Sequence, residues 1–97
     1  MIETIGQRLR RKRTTCGRTL RSVADEIEIS FPYLSKLERG DHLPSASALQ
    51  RLAAALEDDY DELTIVAGRV PDWAAESMAE DPAAAIDSLR NFVARPR

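Results

Sequence analysis

The chain has 97 residues, 43% of them hydrophobic and 31% charged, the balance of one small globular domain with room for an appendage. No apolar run approaches the ~18 residues of a membrane span, no signal-peptide pattern opens the chain, and the single cysteine excludes an internal disulfide or a cysteine metal cluster, so a cytoplasmic protein without membrane contact is expected. The net charge of −2 hides a split: residues 1–56 hold ten Lys/Arg against six Asp/Glu (+4), and residues 57–97 hold four against ten (−6), so a basic half suited to phosphate precedes an acidic one.

Thr4 opens the first helix, with Gln7 at the capping-box spacing. Ile5 and Leu9 share one face, and Arg8, Arg10, Arg11, Lys12 and Arg13 crowd around them. So many cations in succession are expected to leave several facing solvent or an anion. Gly17 ends this helix.

Thr19 caps a second helix with Leu20, Val23, Ala24 and Ile27 as its apolar stripe. The small Ala24 suits two helices that cross steeply around a short turn. A break follows at Glu28-Ile29, Ser30 caps a third helix, and Pro32 falls in its first turn, where a missing N–H costs little. Leu34 and Leu37 point inward, and Gly40 stops the helix.

After the loop Asp41-His42-Leu43-Pro44, Ser45 caps a fourth helix striped by Leu49, Leu52, Ala53 and Leu56. Asp59 and Glu62 repeat the capping-box spacing, which predicts a fifth helix from Tyr60 to Ala67, stopped by Gly68. No window alternates apolar and polar residues, so no strand is predicted. Cys16 is expected in a helix–helix crevice as a small apolar residue, and His42 on an exposed loop.

Beyond Arg69-Val70-Pro71 the character changes. Asp72 can cap a short helix through Trp73 and Met78, and Asp81-Pro82 opens a last helix. Its Ile86, Leu89, Phe92 and Val93 lie on one side, and so short a helix needs that stripe covered. Either the tail folds back onto the core, or Trp73, Ile86, Leu89, Phe92 and Val93 form an interface with a second copy or another protein.

The run TLRSVADEIEISFPYLSKLERGDHLPSASALQRLAAAL resembles the Cro and lambda-repressor type of helix-turn-helix, the xenobiotic-response-element family, over about residues 4–68. The match is strongest at Tyr33-Leu34-Ser35-Lys36-Leu37-Glu38-Arg39-Gly40. It implies an all-α, five-helix lambda-repressor-like DNA-binding domain (residues 1–68); the helical C-terminal extension (69–97), which the resemblance does not reach, is read from its own apolar residues as an element for dimerisation or partner binding. The resemblance also implies a transcriptional regulator, a repressor of its own or a neighbouring promoter, reading a palindromic operator in double-stranded DNA as a homodimer.

Carried over by position, the resemblance puts Phe31, Pro32, Ser35 and Lys36 toward base edges. It puts Arg10, Arg18, Thr19, Arg21, Tyr33, Arg39 and Ser45 toward phosphates. Lys36 can donate to guanine O6 and N7, whereas Phe31 and Pro32 offer only apolar contact, as to a thymine methyl. Arg13 and Glu38 match a pair that ties the first helix to the third. Two positions depart from the pattern: Leu20 replaces a phosphate-binding glutamine, and Glu28 replaces the glycine of the turn. No nucleophile–base set, phosphate loop or metal-ligand spacing is present, so neither enzyme activity nor a cofactor is expected. The acidic tail keeps a second reading open, an antitoxin-like adaptor whose tail binds a partner protein while the basic half binds DNA.

Overall fold

The computed structural model describes residues 2–96. Its helices are α1 (Ile5–Thr15), α2 (Leu20–Glu26), α3 (Phe31–Arg39), α4 (Ala46–Ala55), α5 (Tyr60–Val66), α6 (Asp72–Glu80) and α7 (Pro82–Ala94), with no strand among the described residues. Most helix starts are written locally. Thr4, Thr19, Ser30, Ser45, Asp59 and Asp81 each accept a hydrogen bond from the backbone N–H three residues on, satisfying a donor that the helix geometry leaves orphaned.

Two starts differ from expectation. Thr4 and Gln7 close a full capping box, but at Asp59 the reciprocal half is absent, because its own N–H donates to the Asp58 carboxylate at 2.8 Å. Pro71, not Asp72, occupies the cap position of α6. Asp72 is instead the first helical residue, where its charge meets the positive end of the helix dipole.

The core forms where the leucine stripes converge. Leu9, Val23, Ala24, Leu34, Leu37, Leu49, Leu52, Leu56 and Leu63 are each at most 2% exposed, and each buried leucine contributes about 2–3 kcal/mol of transfer free energy. Helix α3 packs on α1 and α2, while α4 packs on α2 and α5. The α1–α3 crossing is tight: a Cβ at Gly6 would lie 2.5 Å from the Glu38 carbonyl oxygen and 2.8 Å from that of Leu37. Glycine is therefore required for the backbone approach that seats α3.

Helices α6 and α7 pack against each other and contribute no buried residue. The radius of gyration is 15.4 Å, well above the ~12–13 Å of a compact domain of this length. The tail therefore does not enlarge the core.

Candidate nucleic-acid interface

The surface of interest is the outer side of α3. Its inner side is spent on Leu34 and Leu37, both buried, so residues roughly half a turn away point to solvent. Phe31, Pro32 and Lys36 are exposed and Ser35 is half-buried. Tyr33 leans back against the core. The helix ends at Gly40, whose φ of 83° is the left-handed stop that glycine adopts without strain.

The cations sort by whether a carboxylate reaches them. Arg8 makes a two-pronged pair with Asp58 at 2.9 and 2.8 Å, and Lys12 approaches the same carboxylate at 3.6 Å. Arg11 pairs with Glu3. Arg13 pairs with Glu38 at 2.8 and 3.1 Å and also donates to the Arg18 carbonyl. The expectation that several of these five face solvent or an anion holds in part: Arg10 and Arg11 are exposed, but among the described residues only Arg10 of the cluster lacks a carboxylate. The others are neutralised by groups 8 to 50 residues away, a pairing that local sequence does not encode.

Arg18 is drawn along α2, bonding the Ser22 hydroxyl, the Ser22 carbonyl and Glu26. Arg39 makes one exposed contact with Asp41, weak enough for a phosphate to replace. Lys36 has no partner among the described residues. Arg21 has no hydrogen-bonding partner there either, but its guanidinium carbon lies 5.0 Å from the centre of the Phe31 ring. The Thr19 and Ser45 hydroxyls accept from backbone N–H groups, which leaves each O–H hydrogen free to donate.

The turn that sets the angle between α2 and α3 contains Glu28 at φ 59°. A glutamate here bears the steric cost that glycine avoids. The turn is held from outside: the Arg51 guanidinium of α4 donates to the Ile27 carbonyl at 2.5 Å, and the Ile29 N–H bonds the Ala24 carbonyl at 3.0 Å. Arg51, Gly6 and Asp58 are residues that sequence reasoning missed. Arg51 reads as one more polar residue on α4, Gly6 as an unremarkable helix position, and neither spacing signals a partner. Cys16 is exposed at the end of α1 rather than in a crevice, and its thiol donates to the Leu56 carbonyl at 3.4 Å.

On the tail, Trp73 is 65% exposed, and Ile86, Leu89, Phe92 and Val93 are 48–69% exposed. Trp73 donates its indole N–H to Asp61 at 3.2 Å, and the Arg95 guanidinium lies 4.0 Å from the centre of the Phe92 ring. An open cleft of about 510 Å³ separates α5 from α6 and α7, lined mainly by Ile65, Val66, Val70, Trp73, Met78 and Leu89.

This arrangement has counterparts. The family described as a helix-turn-helix domain matches residues 4–64. Over 66 residues the chain is 41% identical to the transcriptional regulator ClgR of Mycobacterium tuberculosis, covering 68% of this chain and 59% of that protein. Over 76 residues it is 38% identical to the cryptic phage CTXphi transcriptional repressor RstR of Vibrio cholerae, covering 78% and 62%. The chain thus spans about three fifths of the length of these curated relatives.

Among solved structures, the clp gene regulator ClgR from Corynebacterium glutamicum superposes with a TM-score of 0.60 at 32% identity, over 98% of this chain and 94% of that one. SinR, the master regulator for biofilm formation, solved in complex with DNA, superposes with a TM-score of 0.59 at 31% identity, over 62% of this chain and 97% of that one. The chain belongs to the helix-turn-helix domain family, of the Cro and lambda-repressor type.

Proposed function

We propose that the chain is a sequence-specific transcriptional regulator that docks α3 in the DNA major groove and represses its own or a neighbouring promoter. The observation that carries this reading is the outer side of α3, where unpaired Lys36 stands beside exposed Phe31 and Pro32. Phe31, Pro32, Ser35 and Lys36 meet base edges. Arg10, Thr19, Tyr33, Arg39 and Ser45, with Arg18 at the α2 start, lie around them as candidate phosphate contacts. Hydroxyls at helix N-termini suit that task, because each sits among free N–H groups at the positive end of a dipole.

Residues 1–68 form the DNA-binding unit in this reading, and 69–97 the pairing element. The half-exposed stripe of α7 and the apolar cleft beside it favour closure by a second copy. Two copies related by a twofold axis read two half-sites about one helical turn apart, hence a palindromic operator.

Binding to the DNA upstream of the gene, measured across salt concentrations, tests the reading. Lys36→Ala is expected to relax preference at one base position by about 1–3 kcal/mol. Arg39→Ala is expected to weaken binding to all sequences alike and to lower the salt slope by about one. Identical effects of the two changes would refute the division between base reading and phosphate seating. Absence of any preference for the upstream DNA would favour instead a protein-binding adaptor acting through the exposed tail.

A further inference from the structure

Resting on the groove-docking reading above, we propose that Arg21 reads a base rather than a phosphate, and that its stack with Phe31 selects a thymine followed by a guanine. Three observations lead there. First, Arg21, like Arg10, is an exposed arginine that no carboxylate or carbonyl holds among the described residues, and it alone of the two has its guanidinium over the Phe31 ring, at 5.0 Å. A guanidinium on a ring face keeps all five N–H donors free, whereas one paired with a carboxylate spends two.

Second, Phe31 is the first residue of α3 and is 39% exposed. The core does not need it, since Leu34 and Leu37 fill the inner side of the helix. The ring instead restrains a long, rotamer-rich side chain, lowering the entropy lost when Arg21 meets a ligand. The first turn of the recognition helix is also the part that reaches base edges.

Third, the two side chains differ in chemistry and are adjacent, so the DNA must present two matching groups side by side. The planar fork of Arg21 fits guanine O6 and N7, and the Phe31 ring fits the thymine methyl, the apolar group of the major groove. Those groups are neighbours along one strand at a thymine–guanine step. A phosphate would satisfy Arg21 alone and leave the ring without a partner. 5-Methylcytosine presents the same methyl, so it should replace thymine.

The test begins with enrichment of binding sites from a randomised duplex pool by the full chain, followed by single-atom changes in the enriched site. Replacing the guanine by another base should weaken binding about 5- to 150-fold. Replacing the thymine by uracil, which removes only the methyl, should weaken it about 3- to 4-fold. 7-Deazaguanine, which lacks the N7 acceptor, should weaken wild type but not Arg21→Ala. Phe31→Leu should keep the uracil effect and lose guanine discrimination, while Phe31→Tyr should keep both. Unfolding midpoints measured in parallel should match wild type, because both side chains are exposed.

The proposal is overturned if Arg21→Ala weakens every duplex alike with a lower salt slope, or if wild type is indifferent to uracil and 7-deazaguanine. An enriched site lacking a thymine–guanine step overturns it while leaving groove docking intact. If wild type enriches no sequence, groove docking fails and this proposal fails with it.

Discussion

Asp58 is a buried carboxylate shared by two cations of the first helix. Its side chain is 3% exposed, and Arg8 and Lys12 converge on it from α1. Burial opposes its ionisation, but the hydrogen bonds from Arg8 and from the Asp59 N–H, with the charges of Arg8 and Lys12, outweigh that effect and hold its pKa below the ordinary 3.8. A carboxylate with a depressed folded pKa contributes stability that is present above its unfolded pKa and lost as pH falls through the folded one. Folding free energy is therefore expected to decline as pH drops below 3.8. Asp58→Asn should flatten that acid limb and cost roughly 1–3 kcal/mol at neutral pH, because Arg8 loses its two-pronged partner and keeps only the exposed Glu62 at 3.3 Å. Urea unfolding of both proteins at pH 7 and pH 3 measures this; an unchanged acid limb in the variant would remove Asp58 from the account. Nothing in the sequence marks this residue: Arg8 and Asp58 lie 50 positions apart, and each reads alone as a solvated charge.

Among the elements, the turn between α2 and α3 sets the angle at which the outer side of α3 is presented. The limits of the two helices it joins were legible, because Thr19 at the start of α2, Ser30 at the start of α3 and Gly40 at its end act on atoms within a few residues of themselves. The support for its middle was not. Glu28 occupies the left-handed region at φ 59°, a conformation that costs a non-glycine residue about 1–2 kcal/mol. Glu28→Gly is expected to raise stability by roughly 0.5–1 kcal/mol, the relief of strain being partly offset by glycine's greater freedom in the unfolded chain. The urea midpoint reports it, and a fall in midpoint would mean that the glutamate is not strained. The Arg51 bond to the Ile27 carbonyl spans elements 24 residues apart and holds the same corner, so the turn keeps its shape without glycine.

For the whole molecule, the open question is what meets the tail. Helices α6 and α7 bury no residue, yet Phe92 and Trp73 stand 57% and 65% exposed, an apolar display that is seldom left to water. Phe92→Asp is expected to shift the protein to monomer in light scattering across concentrations. It should also weaken binding to a two-half-site duplex by about 100-fold or more while sparing a single half-site. A wild-type chain that stays monomeric on DNA would sink the pairing role, and an unchanged Phe92→Asp assembly would move it elsewhere on the surface.

The sequence alone was enough for what depends on neighbours three or four residues away: the caps at Thr4, Thr19, Ser30 and Ser45, the leucine stripes, and the all-helical class. Those features rest on hydrogen bonds and side-chain periodicity internal to one helix. The pattern around Tyr33–Gly40 added the family. Folding was needed to choose partners across the chain. It gave Arg8 to Asp58 and Arg51 to the turn, drew Arg18 back along α2, and left Arg21 on the Phe31 ring, whereas the Arg13–Glu38 pair was already implied by the family resemblance. A charge finds its partner through three-dimensional proximity, which linear spacing does not carry beyond a turn or two of helix.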